Sequence, residues 1–351
     1  MTAPRRTARV VVIATLGAAM AARAQVPQVA ERVDVSRVVV DLHVLAADGR
    51  PIRGLTAADL RVTVDGKAVT IDALRWTTGS VALGEAGAPS ADRALAVPAP
   101  AEHSGRLLLL LVQKDLEPSR MEGLMPMLQR AEGLVAALEP GDRVAVASFH
   151  SHLELWSDFT ADRAAVRAIL TRSILFAGRA GNIVGGDPPL LAPVFDREAG
   201  RRAGSMEQAL VVVGRALAAV SGPKSVVLIG HGFGRVSGGS LQSSIVSFDA
   251  EYAEARRLLT KARAAVYCLD VTRAESHTLE TGLMSVAEDT GGFFVRTHWF
   301  PGQAVSRLGE ALAGHYELSF EKPDLPRGEH AIRVELVGRK GVVFARRTYV
   351  G

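Results

Sequence analysis

The sequence predicts an α/β fold: a Rossmann-like, doubly wound, mostly parallel sheet inserted in a smaller β-sandwich built from N- and C-terminal strands. Three observations lead there. Uninterrupted apolar runs, LLLLLV from Leu107, KSVVLIG from Lys224 and AVYCLDV from Ala265, alternate with stretches of helical period. Central parallel strands, buried on both faces and joined by crossover helices, read this way. Both ends of the chain instead alternate apolar and polar residues with period two, as half-buried antiparallel strands do. Neither end holds enough strands to close a core alone, so the two are expected to pair.

The first 24 residues have a basic start (Arg5, Arg6, Arg9), an apolar run from Val10 to Ala22, and small residues Ala22 and Ala24 around Arg23. That layout is a secretory signal peptide. Thr7 and Ala8 follow the arginine pair where twin-arginine export would place bulky apolar residues, so Sec export is expected. No later run reaches the ~18 apolar residues of a membrane span. Export also changes how the charge is read: the segment holds four arginines and no acids, and 41 Lys+Arg less those four equals the 37 Asp+Glu. A formally neutral mature chain lacks the electrostatic footprint of a nucleic-acid binder. The expected location is periplasmic or secreted.

Residues 33–78 alternate around two hairpin cues, Asp48-Gly49 and Asp65-Gly66, with a short helical turn capped by Thr56. Residues 79–104, rich in Ala, Gly, Pro and Ser, read as a linker. From 105 to 313 the order is LLLLLV, a helix over 121–138, the strands RVAVASF and HLELWSDF, and a helix opening at Thr160. An irregular stretch comes next, then a helix over 205–220, KSVVLIG, a helix over 249–264 and AVYCLDV. A helix near 279–289, the strand GFFVRT and a helix over 303–313 complete the set. Residues 314–351 supply about three strands with turns at 326–328 and 338–341.

Several stretches then acquire a common meaning: GLTAADLRVTVDGKAVTI, EPGDRVAVASF, SDFTADRAAV, AEDTGGFFVRT, HYELSF and FARRTYV, in that order, around an apolar strand that runs into a polar loop. Together they resemble a bacterial exported branch of the von Willebrand factor A-type domain, over nearly all of the mature chain. The resemblance implies a metal-ion-dependent adhesion site, written Asp-x-Ser-x-Ser after the first strand, with a Thr from a second loop and an Asp from a third. Here those positions hold Gln113, Asp115, Glu117, Gly204 (with Ser205 beside it) and His231. All depart from the pattern. Neutral Gln113 and His231 suit a hard cation poorly, whereas Asp115 and Glu117 add carboxylates where the family has hydroxyls.

Other constellations point elsewhere. GHGFG has Gly232 where the nucleophile of a hydrolase elbow would stand. His150 and His152 read as a polar hairpin face, Thr160 and Asp162 as a helix cap and first-turn acid, and Gly291-Gly292 as a left-handed helix end. Cys268 lies in an apolar run and reads as a small core residue. Asp270, at a strand end, is expected to face the same crevice as Asp115 or to cap the segment after the strand. The irregular stretch 177–204 is expected to cover that crevice partly, with apolar contacts from Ile183, Leu190, Leu191, Val194 and Phe195.

The expectation is therefore a nonenzymatic binding or adhesion-type protein recognising a protein or surface polymer, with no nucleic acid, no cofactor and no catalytic residues. Its binding face would be Asp115, Glu117, Ser205 and His231. The alternative is metal-dependent adhesion, with a divalent cation (Mg, Ca or Mn) at a noncognate site on Asp115 and Glu117. Hydrolysis is the third and weakest reading.

Overall fold

The computed structural model describes residues 36–78, 105–115, 117–176, 181–237, 245–248 and 250–351. The chain divides into Met1–Val35 and Ser36–Gly351, and every element of the fold belongs to the second unit. The expected signal peptide (1–24), the linker (79–104) and residues 177–180 lie outside the described residues.

The chain opens with β1 (Arg37–Leu45), a 3-10 turn at Ala57–Asp59, β2 (Leu60–Val64), β3 (Lys67–Val69) and β4 (Ala73–Thr77). Thr56 starts the turn with a reciprocal capping box to Asp59. At the β2–β3 hairpin Asp65 and Gly66 have φ of 47° and 80°, the left-handed pair that a two-residue loop requires.

Next come β5 (Leu107–Gln113), α1 (Pro118–Ala136), β6 (Arg143–Phe149), β7 (Leu153–Thr160), α2 (Arg163–Ala168), α3 (Ile174–Phe176), α4 (Arg197–Arg202), α5 (Met206–Ala218) and β8 (Lys224–Gly230). A small hairpin, β9 (Arg235–Ser237) and β10 (Ile245–Ser247), precedes α6 (Ala250–Lys261), β11 (Ala264–Asp270), α7 (Glu280–Thr290), β12 (Phe294–Arg296) and α8 (Pro301–Leu312). The chain closes with β13 (His315–Glu321), β14 (Glu329–Leu336), β15 (Val342–Ala345) and β16 (Thr348–Val350).

Six strands form the central sheet in the order β12-β11-β8-β5-β6-β7. All neighbours are parallel except the β6–β7 edge pair. Every residue of β5 is buried, because α5, α6 and α7 pack on one face and α1, α2 and α8 on the other. The ends of the chain meet in two four-stranded sheets, β15-β1-β13-β4 and β16-β14-β2-β3. Alternate residues Val38, Val40, Leu42 and Val44 of β1 face Val62 and Val64 of β2 and Leu318 and Phe320 of β13 in their shared core. The sandwich joins the α/β layer through Arg263, at φ 52°, whose guanidinium pairs with Asp41 and Glu317. His43 and the Tyr267 hydroxyl, 2.6 Å apart, add a buried contact.

Two sequence expectations need correction. Asp162, not Thr160, caps α2: its carboxylate accepts from Ala165 N–H, while Thr160 belongs to β7. Over its described residues, the irregular stretch does not cover the strand-end crevice but lies along edge strand β7. Val184 bridges Ser157, and the buried Asp158 carboxylate accepts from the N–H groups of Phe159, Leu190, Leu191 and Ala192. Leu191 and Phe195 enter the core, while Val194 stays exposed. An edge strand presents unpaired backbone groups, and β7 is covered instead of left open.

Candidate functional site

From β5 the chain moves outward to β6 and β7 and then returns to β8 on the other side of β5. The carboxyl ends of β5 and β8 therefore flank the topological switch point, where open α/β sheets bind ligands. Gln113 ends β5, and His231 comes directly after β8.

Gln113 is buried and its amide bridges the switch point. Its Oε1 accepts from His231 N–H at 3.0 Å and Gly232 N–H at 3.2 Å, and its Nε2 donates to Gly232 O at 2.8 Å. The bridge requires glycine opposite: a Cβ on Gly230 would lie 2.4 Å from Gln113 Oε1. Gly232, at φ 103°, lets the loop press on Leu279, whose carbonyl oxygen a Cβ would meet at 2.3 Å. Both polar atoms of the Gln113 amide are thus engaged with backbone.

Asp115 turns the chain into α1: its Oδ1 accepts from Glu117 N–H at 2.9 Å. Its Oδ2 pairs with the Arg120 guanidinium, whose Nε also lies 3.4 Å from Glu117 Oε2. Burial alone raises the Asp115 carboxyl, but the Glu117 N–H, Arg120 and, more weakly, His231 hold it below its ordinary range. His231 Nε2 lies 3.6 Å from Asp115 Oδ2. Burial, and after it the Arg120 charge, push this imidazole down to about 4 against the pull of Asp115 and Asp270. At neutral pH His231 is uncharged.

The remaining positions turn elsewhere. Ser205 caps α5, its hydroxyl accepting from Gln208 N–H, and Gly204 N–H donates to Gln208 Oε1. An engaged amide, an ion-paired acid, an exposed acid, a glycine and a neutral imidazole are a poor donor set for a hard cation. The structure brings Gln113, Asp115, Glu117 and His231 together and leaves Gly204 and Ser205 in their own helix start. His150 and His152 sit in the β6–β7 turn, where His152 Nδ1 meets Ser151 Oγ at 3.1 Å. Cys268 is buried, and burial raises its thiol well above the ordinary value.

Sequence reasoning missed three groups. Arg120 was legible only as a basic residue three positions after Glu117. The second is His277 and Glu280, which join Asp270, the strand-end acid expected at the crevice or as a cap: Asp270 is fully buried, its Oδ1 accepting from Thr272 N–H, as a cap does, and its Oδ2 lying 2.9 Å from His277 Nε2. Glu280 accepts both arms of Arg296 at 2.8 Å. The third is Trp299 and Phe300, exposed by 69% and 64%. They leave the carboxyl end of β12 beside Asp270, whose carbonyl accepts from Thr297 N–H and Oγ1–H.

No protein-family model matches the chain, and no curated protein matches it in sequence. Solved structures with some likeness include BatB from Bacteroides thetaiotaomicron, at 14% identity and TM-score 0.38 over 60% of this chain and 98% of that one. The manganese-loaded TRAP protein of Plasmodium vivax gives 14% and 0.38 over 69% and 93%. Three N-terminal domains of the type V pili tip protein Mfa5 from Porphyromonas gingivalis give 10% and 0.41 over 90% and 66%. The strand order, the helices on both faces and the polar loop at the switch point agree with the A-type α/β domain that the sequence motifs resemble.

Proposed function

We propose that the chain is an exported, nonenzymatic binding protein whose strand-end face recognises a protein or surface polymer without a metal at the switch point. The observation that carries the reading is Arg120. Its guanidinium lies against Asp115 and Glu117, so positive charge in this loop comes from the chain itself. After the carboxyl end of another parallel strand of the same sheet, Trp299 and Phe300 expose large rings, and Trp and Arg are among the residue types most enriched where partners bind tightly. Arg120 also counts against the alternative of a Mg, Ca or Mn ion held by Asp115 and Glu117, since a cation there would displace or repel it. Catalysis is disfavoured too: the Ser151–His152 contact joins sequence neighbours on a hairpin tip, with Ser151 exposed.

Site-specific photo-cross-linking tests the reading. A benzoylphenylalanine at 299 or 300 should trap a discrete partner in the source cells, in chelator as well as without it, and Arg120→Ala should weaken the band. The same probe at Val350, exposed on the sandwich, is the control. An identical pattern from 350, or no adduct from 299 and 300, sinks the proposal.

A further inference from the structure

We infer that Asp270, His277 and Glu280 form a binding site for a borderline divalent metal ion of the Zn2+ type, separate from the first-strand loop of Asp115 and Glu117. Each side chain offers a ligand atom, and these atoms lie within 4.8 Å of one another. The elements bring them together: Asp270 ends β11, His277 lies in the loop after it, and Glu280 opens α7.

The donor chemistry selects the ion. One imidazole nitrogen and two carboxylate oxygens are the ligand types of zinc sites with an open fourth position, whereas Mg2+ and Ca2+ prefer oxygen throughout. The ligands are also held from behind, as metal ligands are. Thr272 N–H fixes the other oxygen of Asp270, and Arg296 grips Glu280. Each carboxylate oxygen has two lone pairs, so Glu280 can keep Arg296 while giving a lone pair to the ion. Asp270 and Glu280 are buried, while the His277 side chain keeps 18% of its surface exposed, which leaves a route for entry.

Charge gives a further reason. Arg296 grips Glu280 and acts on Asp270 through space, but the fully buried Asp270 carboxylate hydrogen-bonds only to the Thr272 N–H and the His277 ring among the described residues, and buried charge is costly without full compensation. His231 adds an independent sign. It comes directly after Gly230, the residue paired with Asp270 across β8 and β11. It is 8% exposed, and its Nδ1 is buried without a hydrogen-bond partner among the described residues. An imidazole nitrogen buried without a partner at the neighbouring strand end is a donor of the type this class of ion takes.

The test uses the untagged full chain stripped with chelator and titrated calorimetrically with ZnCl2. One Zn2+ per chain with a dissociation constant in the micromolar range or below is expected, unaffected by millimolar Mg2+. His277→Ala and Glu280→Gln should each weaken binding at least tenfold, while His152→Ala leaves it unchanged. Because a variant can fail to fold, Co2+ is added to the wild type as well: an absorption spectrum of nitrogen and oxygen coordination is expected. Absence of stoichiometric Zn2+ binding, or binding that survives His277→Ala or falls in His152→Ala, overturns the inference. The cross-linking experiment runs in chelator, so its failure and the failure of this site are separate results.

Discussion

If Arg120 provides the positive charge that a metal would bring to the first-strand loop, removing it should both destabilise the chain and make the loop responsive to a hard cation. Asp115 and Arg120 keep 25% and 30% of their side-chain surface, and Glu117 keeps 56%. Coulomb energy at 4 Å runs from about 1 kcal/mol in water to about 4 kcal/mol near a protein surface. Partly exposed pairs usually measure about 1 kcal/mol or less. Arg120→Ser should therefore cost about 1 kcal/mol, a fall of roughly 2–4 °C in melting temperature. It removes the guanidinium that Asp115 and Glu117 share. Mg2+ at a hundred times its dissociation constant then stabilises by about 2.7 kcal/mol, enough to more than reverse that fall. The assay is thermal melting of wild type, Arg120→Ser and Arg120→Ser with Asp115→Asn, in chelator and then in Mg2+. Only the single variant should gain. A gain in wild type, or none in Arg120→Ser, refutes the view that the guanidinium stands in for a metal.

Three further outcomes are expected. His231 has a folded-state pKa pushed down to about 4 from 6.5, so its contribution is complete above pH 6.5 and lost as pH falls through 4. His231→Gln should flatten the decline of stability across that window by up to ~3 kcal/mol, read by urea unfolding at pH 7, 5 and 4; parallel curves for variant and wild type would contradict this. Asp158→Ala strips four N–H groups of their buried acceptor and should cost about 3–5 kcal/mol. It should also open 181–196 to limited proteolysis, and a loop that stays resistant would show other contacts to suffice. Arg263→Met leaves Asp41 and Glu317 without their shared cation, and since all three are partly exposed the cost should be about 2–3 kcal/mol, checked by the same unfolding curves.

The elements legible in the sequence are those whose environment is dictated by one-dimensional pattern. β5, β8 and β11 are central parallel strands, so burial on both faces writes them as unbroken apolar runs. The ends of the chain alternate because one face of each strand meets the sandwich core, and a sheet with two ragged ends has no other partner of the right period. The same logic located the strand ends, whereas Gln113, Asp115 and His231 were picked out by the family motif that the sequence resembles. The content of the site was less legible because it depends on direction, not spacing. Glu117 N–H donates to Asp115 where the chain turns into α1, and Arg120, one turn along the helix, reaches back to the same carboxylate. Asp158 reaches backbone more than thirty residues away, so no local pattern announces that 181–196 guards an edge strand. Nor does spacing unite Asp270, His277 and Glu280: the loop after β11 must fold back onto its own strand end, and the Gly232 backbone, pressed on Leu279, helps hold it there. Departures from the adhesion pattern are thus visible as residues at fixed positions, while the ion pairs around them become visible only when the loops are closed. That difference is why the melting experiment turns on Arg120, a residue outside the five motif positions.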